Sequence, residues 1–173
     1  MQNLFKLFSF CLVVIVFQAC QPSSSGVSSL TPEGGLNWLT IDEAQAINNV
    51  EEKRFIVDMY TTWCGWCKKM DAQTFNDPEV KAFIDQNFFV VKMDAETKDT
   101  VNFKGKEYEW RPGGRKGINT LALELLGGRQ SYPTIVYLDK DLNKIKSIPG
   151  FKQKDQFIKD LKDVLALDGK SEG

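Results

Sequence analysis

Histidine is absent from the 173 residues of the chain. Its absence excludes serine and cysteine nucleophiles that rely on an imidazole base. It also excludes every metal site built on histidine nitrogen. Any catalysis must therefore use other side chains.

A strong excess of charge is also lacking, since 22 Lys and Arg face 23 Asp and Glu for a net charge of −1. This balance does not favour a nucleic-acid partner. Twelve Phe and four Trp, by contrast, supply enough apolar area for a core that needs neither a disulfide scaffold nor a structural metal. The length suits one globular domain with an additional segment.

Long hydrophobic runs are scarce, and the longest covers residues 7–17, after Lys6. It is short for a membrane span and typical of a secretory signal peptide. The run is followed by Ala19 and Cys20, an ending that resembles a bacterial lipoprotein signal. The resemblance implies a signal peptide over residues 1–19 and a lipid on Cys20. A signal peptide without lipidation and an uncleaved anchor are the alternatives, and all three place the domain outside the cytoplasm.

Composition divides the remainder of the chain into three parts. Residues 20–35 are rich in Ser and Gly and are predicted to form a flexible tether. Residues 36–168 are predicted to fold into one domain, and residues 169–173 to form a disordered tail.

Hydrophobic periodicity within the domain predicts an α/β fold. Residues 54–60 and 87–94 are predicted buried strands, and residues 134–138 and 144–148 a hairpin. Helices are predicted at 39–49, with Thr40 and Glu43 as a capping box, and also at 67–74, from 78 through 84, at 121–126 and at 153–167. This order predicts a central sheet covered on both faces.

Cys64 and Cys67 directly follow a predicted strand and open a predicted helix. Backbone N–H groups at a helix start favour thiolate and lower a cysteine pKa from about 8.5 to roughly 3.5–7.5. Cys64, expected to be exposed, is the predicted nucleophile, and Cys67 on the same side of the helix is the predicted resolving thiol. The alternatives are an inert disulfide and a zinc site, for which the chain beyond the leader offers few ligands besides Cys20.

Three segments resemble the thioredoxin superfamily: residues 60–70 (YTTWCGWCKKM), 74–80 (TFNDPEV) and 131–134 (SYPT). They are most similar to its envelope branch, which includes the C-terminal domain of the transmembrane thiol:disulfide interchange protein. The resemblance implies a thioredoxin fold for residues 36–168, with a central mixed β-sheet, helices on both faces and the active site at a strand-to-helix junction. It implies no cofactor beyond the redox-active Cys64–Cys67 pair, and no metal.

The resemblance also implies roles for two charged residues. Asp58 matches the buried acid that accepts a proton from the resolving thiol through water, and Lys92 matches the partner of that acid. The alternative is a salt bridge that only permits the burial of Asp58.

Substrate binding is implied for residues on both sides of the cysteine pair. Pro133 matches a cis-proline that lines the groove for an extended substrate, although a trans proline at the start of a strand is the alternative. The remaining substrate-binding predictions are Trp63, Gly65, Trp66, Tyr132 and Thr134.

Residues 96–120 form a longer connection than is usual in this family. Such a segment is either a lid or binding surface for the active site, or a surface elaboration packed on itself. The sequence favours neither.

These observations predict a monomeric thiol-disulfide oxidoreductase of the bacterial cell envelope, anchored by lipid on Cys20 and facing the periplasm or exterior. Its expected reaction is the reduction of disulfides in exported proteins, with electrons from a membrane thiol-disulfide donor. A thiol oxidase or isomerase, and a non-catalytic binding module with the same fold, are the alternatives.

Overall fold

A computed structural model of the chain describes residues 35–113 and 116–167. The predicted signal peptide, Cys20, nearly all of the predicted tether and the predicted tail lie outside the described residues. In chain order the elements are α1 (Ile41–Asn48), β1 (Arg54–Tyr60), α2 (Gly65–Met70), a π-helical turn (Asp71–Phe75), α3 (Pro78–Asn87), β2 (Phe88–Asp94), β3 (Val101–Phe103), β4 (Lys106–Tyr108), β5 (Trp110–Arg111), β6 (Ile118–Asn119), α4 (Thr120–Leu125), β7 (Thr134–Leu138), β8 (Lys144–Pro149) and α5 (Lys154–Leu165).

Four of the strands form the central sheet in the order β2-β1-β7-β8. β1 runs parallel to β2 and antiparallel to β7, and β7 and β8 form the predicted hairpin. The sheet is therefore mixed, as predicted. β1 occupies residues 54–60, the predicted range, because a run of β-branched and aromatic residues fits a strand with both faces buried.

Alternation along the strands divides the core into two clusters. On the α1–α4 face, the side chains of Phe55, Val57 and Met59 pack with α1 and α4. On the α2–α5 face, Ile56 packs with α2, α3 and α5. Helices therefore cover both faces, and the predicted layer arrangement is confirmed.

The predicted helix at residues 67–74 differs from the structure. The α-helix starts at Gly65, because Cys64 caps it, and after Met70 it widens into the π-helical turn. Within that turn the Thr74 hydroxyl donates to Lys152 O at 2.5 Å, and the Phe75 ring lies 5.3 Å from the ring of Phe157. Lys152 and Phe157 are remote from this turn in sequence, so helical periodicity could not predict the π-helical turn.

Residues 96–120 fold into two short hairpins, β3–β4 and β5–β6. Their buried side chains join the core of the α1–α4 face, and α1 holds β3 through Gln45, whose amide donates to Asn102 O at 2.8 Å. Gly117 has a φ of +78°, and a Cβ there would lie 2.2 Å from the Trp110 ring. The segment is thus packed against α1 and α4, and not on itself alone.

No helix within the two described stretches is long and apolar enough to cross a bilayer.

Candidate active site

Cys64 and Cys67 form a disulfide at the junction between β1 and α2, with their Cα atoms 5.3 Å apart. After β1 ends at Tyr60, the chain turns, and Cys64 N donates to Thr61 O at 3.0 Å. Cys64 then serves as the N-cap of α2. The predicted placement at a strand-to-helix junction is confirmed.

The predicted exposure of Cys64 is wrong for this oxidised form. Cys64 is 4% exposed and Cys67 is 2% exposed. The physical reason is that the Cys64 sulfur is bonded to Cys67 and also accepts a hydrogen bond from Cys67 N at 3.0 Å, which holds it against the helix start. The same N–H would stabilise a negatively charged sulfur after reduction.

An ionic cluster lies on the α2–α5 face of the sheet. Asp58 of β1 and Lys92 of β2 are register partners, and Lys92 Nζ donates to Asp58 Oδ2 at 3.0 Å. This is the contact expected from the family resemblance. Lys92 also forms a hydrogen-bonded ion pair with Asp71.

Asp71 was missed by the sequence reasoning. It follows α2 directly, four residues after Cys67, and positions four apart share one side of a helix. A carboxylate one turn beyond a cysteine predicted to face inward was the available signal.

Burial and pairing shift both members of the Asp58–Lys92 pair. Burial raises the pKa of Asp58 to about 6, although the nearby Lys92 charge opposes the rise. For Lys92, burial favours the neutral amine, but the charges of Asp58 and Asp71 outweigh it and raise its pKa. The ammonium also lies 4.5 Å from the centroid of the Trp38 ring. Lys92 therefore remains charged at neutral pH, while Asp58 changes protonation near pH 6.

The Asp58 carboxylate lies on the sheet face that α2, the helix of the resolving cysteine, covers. α2 turns Cys67 and Met70 inward, and Met70 packs with Ile56, the neighbour of Asp58 on the same face of β1. Asp58 Oδ1 accepts no hydrogen bond from the described residues. One oxygen of a buried acid is thus available on this side of the sheet.

The predicted substrate-binding tryptophans, each next to a cysteine in sequence, make two separate aromatic contacts. The Tyr132–Pro133 peptide is cis, as expected, and the Tyr132 ring lies 6.0 Å from the Trp63 ring in an edge-to-face contact. At the start of α2, Trp66 packs 5.7 Å from Phe151.

Two more of the predicted substrate-binding residues, Gly65 and Thr134, differ in solvent exposure. Gly65 is exposed at the first turn of α2. Thr134 is buried at the start of β7, and its hydroxyl donates to Ser131 O at 2.7 Å. The Thr134 hydroxyl is therefore already used in a hydrogen bond to the loop that carries Pro133.

A pocket of about 540 Å³ adjoins Trp63 and Tyr132. Its remaining lining residues are Glu96, Lys116, Gly117 and Gln130. Glu96 was also missed by sequence reasoning, although both of its carboxylate oxygens accept from Trp63 Nε1 at 3.0 Å. Burial, followed by the charges of Glu96 and Asp94, raises the pKa of Tyr132 to about 12. Residues 96–120 therefore reach the edge of the active site.

Within residues 35–113 and 116–167, no three His, Cys, Asp or Glu side chains cluster in a way that would hold a metal ion.

A mixed sheet between helical layers, a disulfide at the start of a helix and a neighbouring cis-proline together define a protein of the thioredoxin-fold class. The chain belongs to the thioredoxin-like domain family, whose model matches residues 41–165. The predicted family and fold are thus confirmed.

Two curated proteins and one solved structure illustrate the similarity. Protein disulfide-isomerase A3 of Gallus gallus is 27% identical over 138 residues, which cover 75% of this chain and 25% of that protein. Thiol:disulfide interchange protein DsbD of Haemophilus influenzae (strain PittGG) is 24% identical over 166 residues, covering 88% of this chain and 25% of that protein. The structure of DsbH oxidoreductase superposes with a TM-score of 0.56 at 20% identity, covering 84% of this chain and 96% of that one.

The chain spans about a quarter of the length of these two curated relatives. Family membership and the Cys64–Cys67 disulfide confirm the predicted class, a thioredoxin-like disulfide oxidoreductase.

Proposed function

We propose that this protein reduces disulfides in exported proteins of the bacterial cell envelope, where a lipid on Cys20 anchors it to a membrane. The observation that carries the proposal is the Cys64–Cys67 disulfide at the start of α2, where the sulfur of Cys64 caps the helix. The leader pattern and the similarity to DsbD support the envelope location.

The reaction begins from the reduced pair. The Cys64 thiolate attacks one sulfur of the substrate disulfide, forms a mixed disulfide and releases the first substrate thiolate. Cys67 then loses its proton and attacks the Cys64 sulfur, which releases the second substrate thiolate. Two electrons pass to the substrate, and the protein is left with the disulfide seen in this structure. A membrane thiol-disulfide donor restores the dithiol by the reverse exchange.

Asp58 is the proposed acceptor for the Cys67 proton, through an intervening water. Its pKa of about 6 lets it be ionised at neutral pH and still take up a proton transiently. Lys92, held by Asp71 as well, supports the ionised form.

The substrate chain is proposed to cross the disulfide beside the cis Pro133. Trp63 and Tyr132 would contact it on one side, and Gly65 and Trp66 on the other. Thr134 would contribute through its backbone, because its side chain is buried.

A second candidate is thiol oxidation or isomerisation, which the similarity to protein disulfide-isomerase A3 favours. The equilibrium reduction potential separates the two, and it is measured on the full chain in detergent by titration against glutathione or dithiothreitol. A value near −270 mV supports the reductase, whereas a value near −120 mV supports an oxidase.

Trapping variants test whether the pair turns over at all. We expect Cys67→Ser to accumulate mixed disulfides through Cys64, and Cys64→Ser to lose nearly all exchange, since the nucleophile is gone. A pair that never cycles, with neither variant changing exchange, would instead indicate a binding module of the same fold.

A further inference from the structure

The two tryptophans next to the cysteines are unusually exposed. Trp63 precedes Cys64 and is 55% exposed, and Trp66 precedes Cys67 and is 58% exposed. Large indole side chains in water leave apolar surface unburied. Such surface beside a reactive group indicates a contact surface for another molecule. A substrate disulfide must meet the Cys64 sulfur, so the polypeptide that carries it lies across these rings.

The Trp63 side is preformed as a pocket. The rings of Trp63 and Tyr132 provide apolar surface in a space of about 540 Å³. The Trp63 indole N–H donates to the Glu96 carboxylate, which fixes the position of the ring. Because Gly117 has no side chain, this wall of the pocket can lie against Trp110. The size and apolar surface fit one large apolar side chain.

A lysine lies over each of the two indoles. Lys116 Nζ is 5.9 Å from the centroid of the Trp63 ring, and Lys69 Nζ is 4.8 Å from that of Trp66. Neither ammonium has a carboxylate within 4.0 Å in the described parts of the chain. Lys68, next to Lys69, is exposed as well. Of the described residues that line the pocket, only Glu96 is acidic, and its carboxylate accepts a hydrogen bond from Trp63 Nε1.

We propose that this surface selects a substrate segment in which a large apolar side chain lies beside the reactive cysteine and carboxylates lie near it. The apolar side chain enters the pocket, and the carboxylates pair with Lys69 and Lys116. This inference rests on the proposed function and deepens it, because it assigns a specificity role to residues 96–120 through Glu96, Lys116 and Gly117.

The test uses disulfide-linked dimers of three short peptides that differ near the cysteine: Phe with two Glu, Phe with two Lys, and Ser with two Glu. Each dimer reacts with the reduced full chain in detergent, and single-turnover oxidation is followed by tryptophan fluorescence. Each rate is divided by that of the same dimer with dithiothreitol, which cancels intrinsic reactivity. Hydroxyethyl disulfide reports the chemistry of Cys64 in every variant.

We expect the Phe–Glu dimer to react about tenfold faster than either of the others. The Lys69→Glu/Lys116→Glu variant should reverse the charge preference, and Gln130→Trp, which fills the pocket, should remove the preference for Phe over Ser. Lys106→Glu, at an exposed position of the β3–β4 hairpin, is the matched control and should keep both preferences.

Equal normalised rates for the three dimers, or a charge preference that survives the double reversal, would overturn this inference alone. Failure to react with every disulfide, hydroxyethyl disulfide included, would overturn the proposed function with it.

Discussion

The two faces of the central sheet differ in the side chains that β1 and β2 present to them. Toward α1 and α4, β1 and β2 present only apolar side chains: Phe55, Val57, Met59, Phe89, Val91 and Met93. Toward α2, the next residues along the same strands include the paired Asp58 and Lys92. Charge is therefore buried on the face that carries the disulfide, whereas β1 and β2 present no charge to the opposite face.

The α1–α4 face packs β1 and β2 without a charged pair between them. A buried ion pair contributes little net stability, because desolvation offsets the attraction between the charges. The proton-transfer role proposed for Asp58 would give a reason for burying the pair on the α2 side.

The largest effect is expected when a charge is placed on the apolar face. Val57→Asp puts a carboxylate between Val91 and Val136, the register partners of Val57, neither of which offers a cation. We expect a loss of about 4 kcal/mol in the free energy of unfolding, measured by urea denaturation. Val57→Ala is the control, with a loss of about 2 kcal/mol. Equal losses for the two variants would show that the α1–α4 face accepts a buried carboxylate as readily as a cavity.

Removal of the cation from the charged face should cost less. Lys92→Met leaves Asp58 buried and unpaired, and we expect a loss of about 3 kcal/mol at pH 7. The loss should shrink at pH 5, where Asp58 takes up a proton. The Asp58→Asn/Lys92→Met double variant should recover part of it, because no buried carboxylate remains at position 58. A loss that is equal at both pH values would contradict the pairing.

The smallest effect is a gain from neutralising the acid. The pKa of Asp58 is raised from 3.8 to about 6 on folding, so the folded state holds an extra proton between these values. The contribution of Asp58 to stability therefore falls as pH rises from about 4 to about 6 and stays low above that. Asp58→Asn should raise the free energy of unfolding at pH 7 by about 2 kcal/mol, since the buried amide keeps part of the desolvation cost, and the gain should fade toward pH 4.

The matched control for this gain is Asp85→Asn, at an exposed position of α3. Thiol-disulfide exchange supplies the second readout, since Asp58→Asn should slow the resolving step while it stabilises the fold. A stabilised variant with an unchanged pH profile of exchange would leave Asp58 a structural role only.

Much of the fold could be predicted because its signals are local. The capping box of Thr40 and Glu43 forms as predicted, with Glu43 N donating to Thr40 Oγ1 at 3.2 Å, and Asp77 caps α3 ahead of Pro78. The π-helical turn after Met70 was not predictable, because it accompanies contacts of Thr74 and Phe75 with distant residues.

The residues of the site could be predicted where they belong to a sequence motif. Cys64 and Cys67 follow from spacing and position, whereas Asp58, Lys92 and Pro133 came through the family resemblance. The burial of Cys64 was not anticipated, since it depends on the disulfide and on the capping contact made by its sulfur.

The sequence by itself determined which side chains share a face, because strand alternation and helical spacing are properties of neighbouring residues. It placed Asp58 opposite Val57 and set Cys67 one turn from Asp71. Only the tertiary structure decided that Lys92 joins Asp71, 21 residues away, and that Glu96 holds Trp63, 33 residues away. Such contacts depend on strand register and on how the segments pack, and no local pattern encodes either.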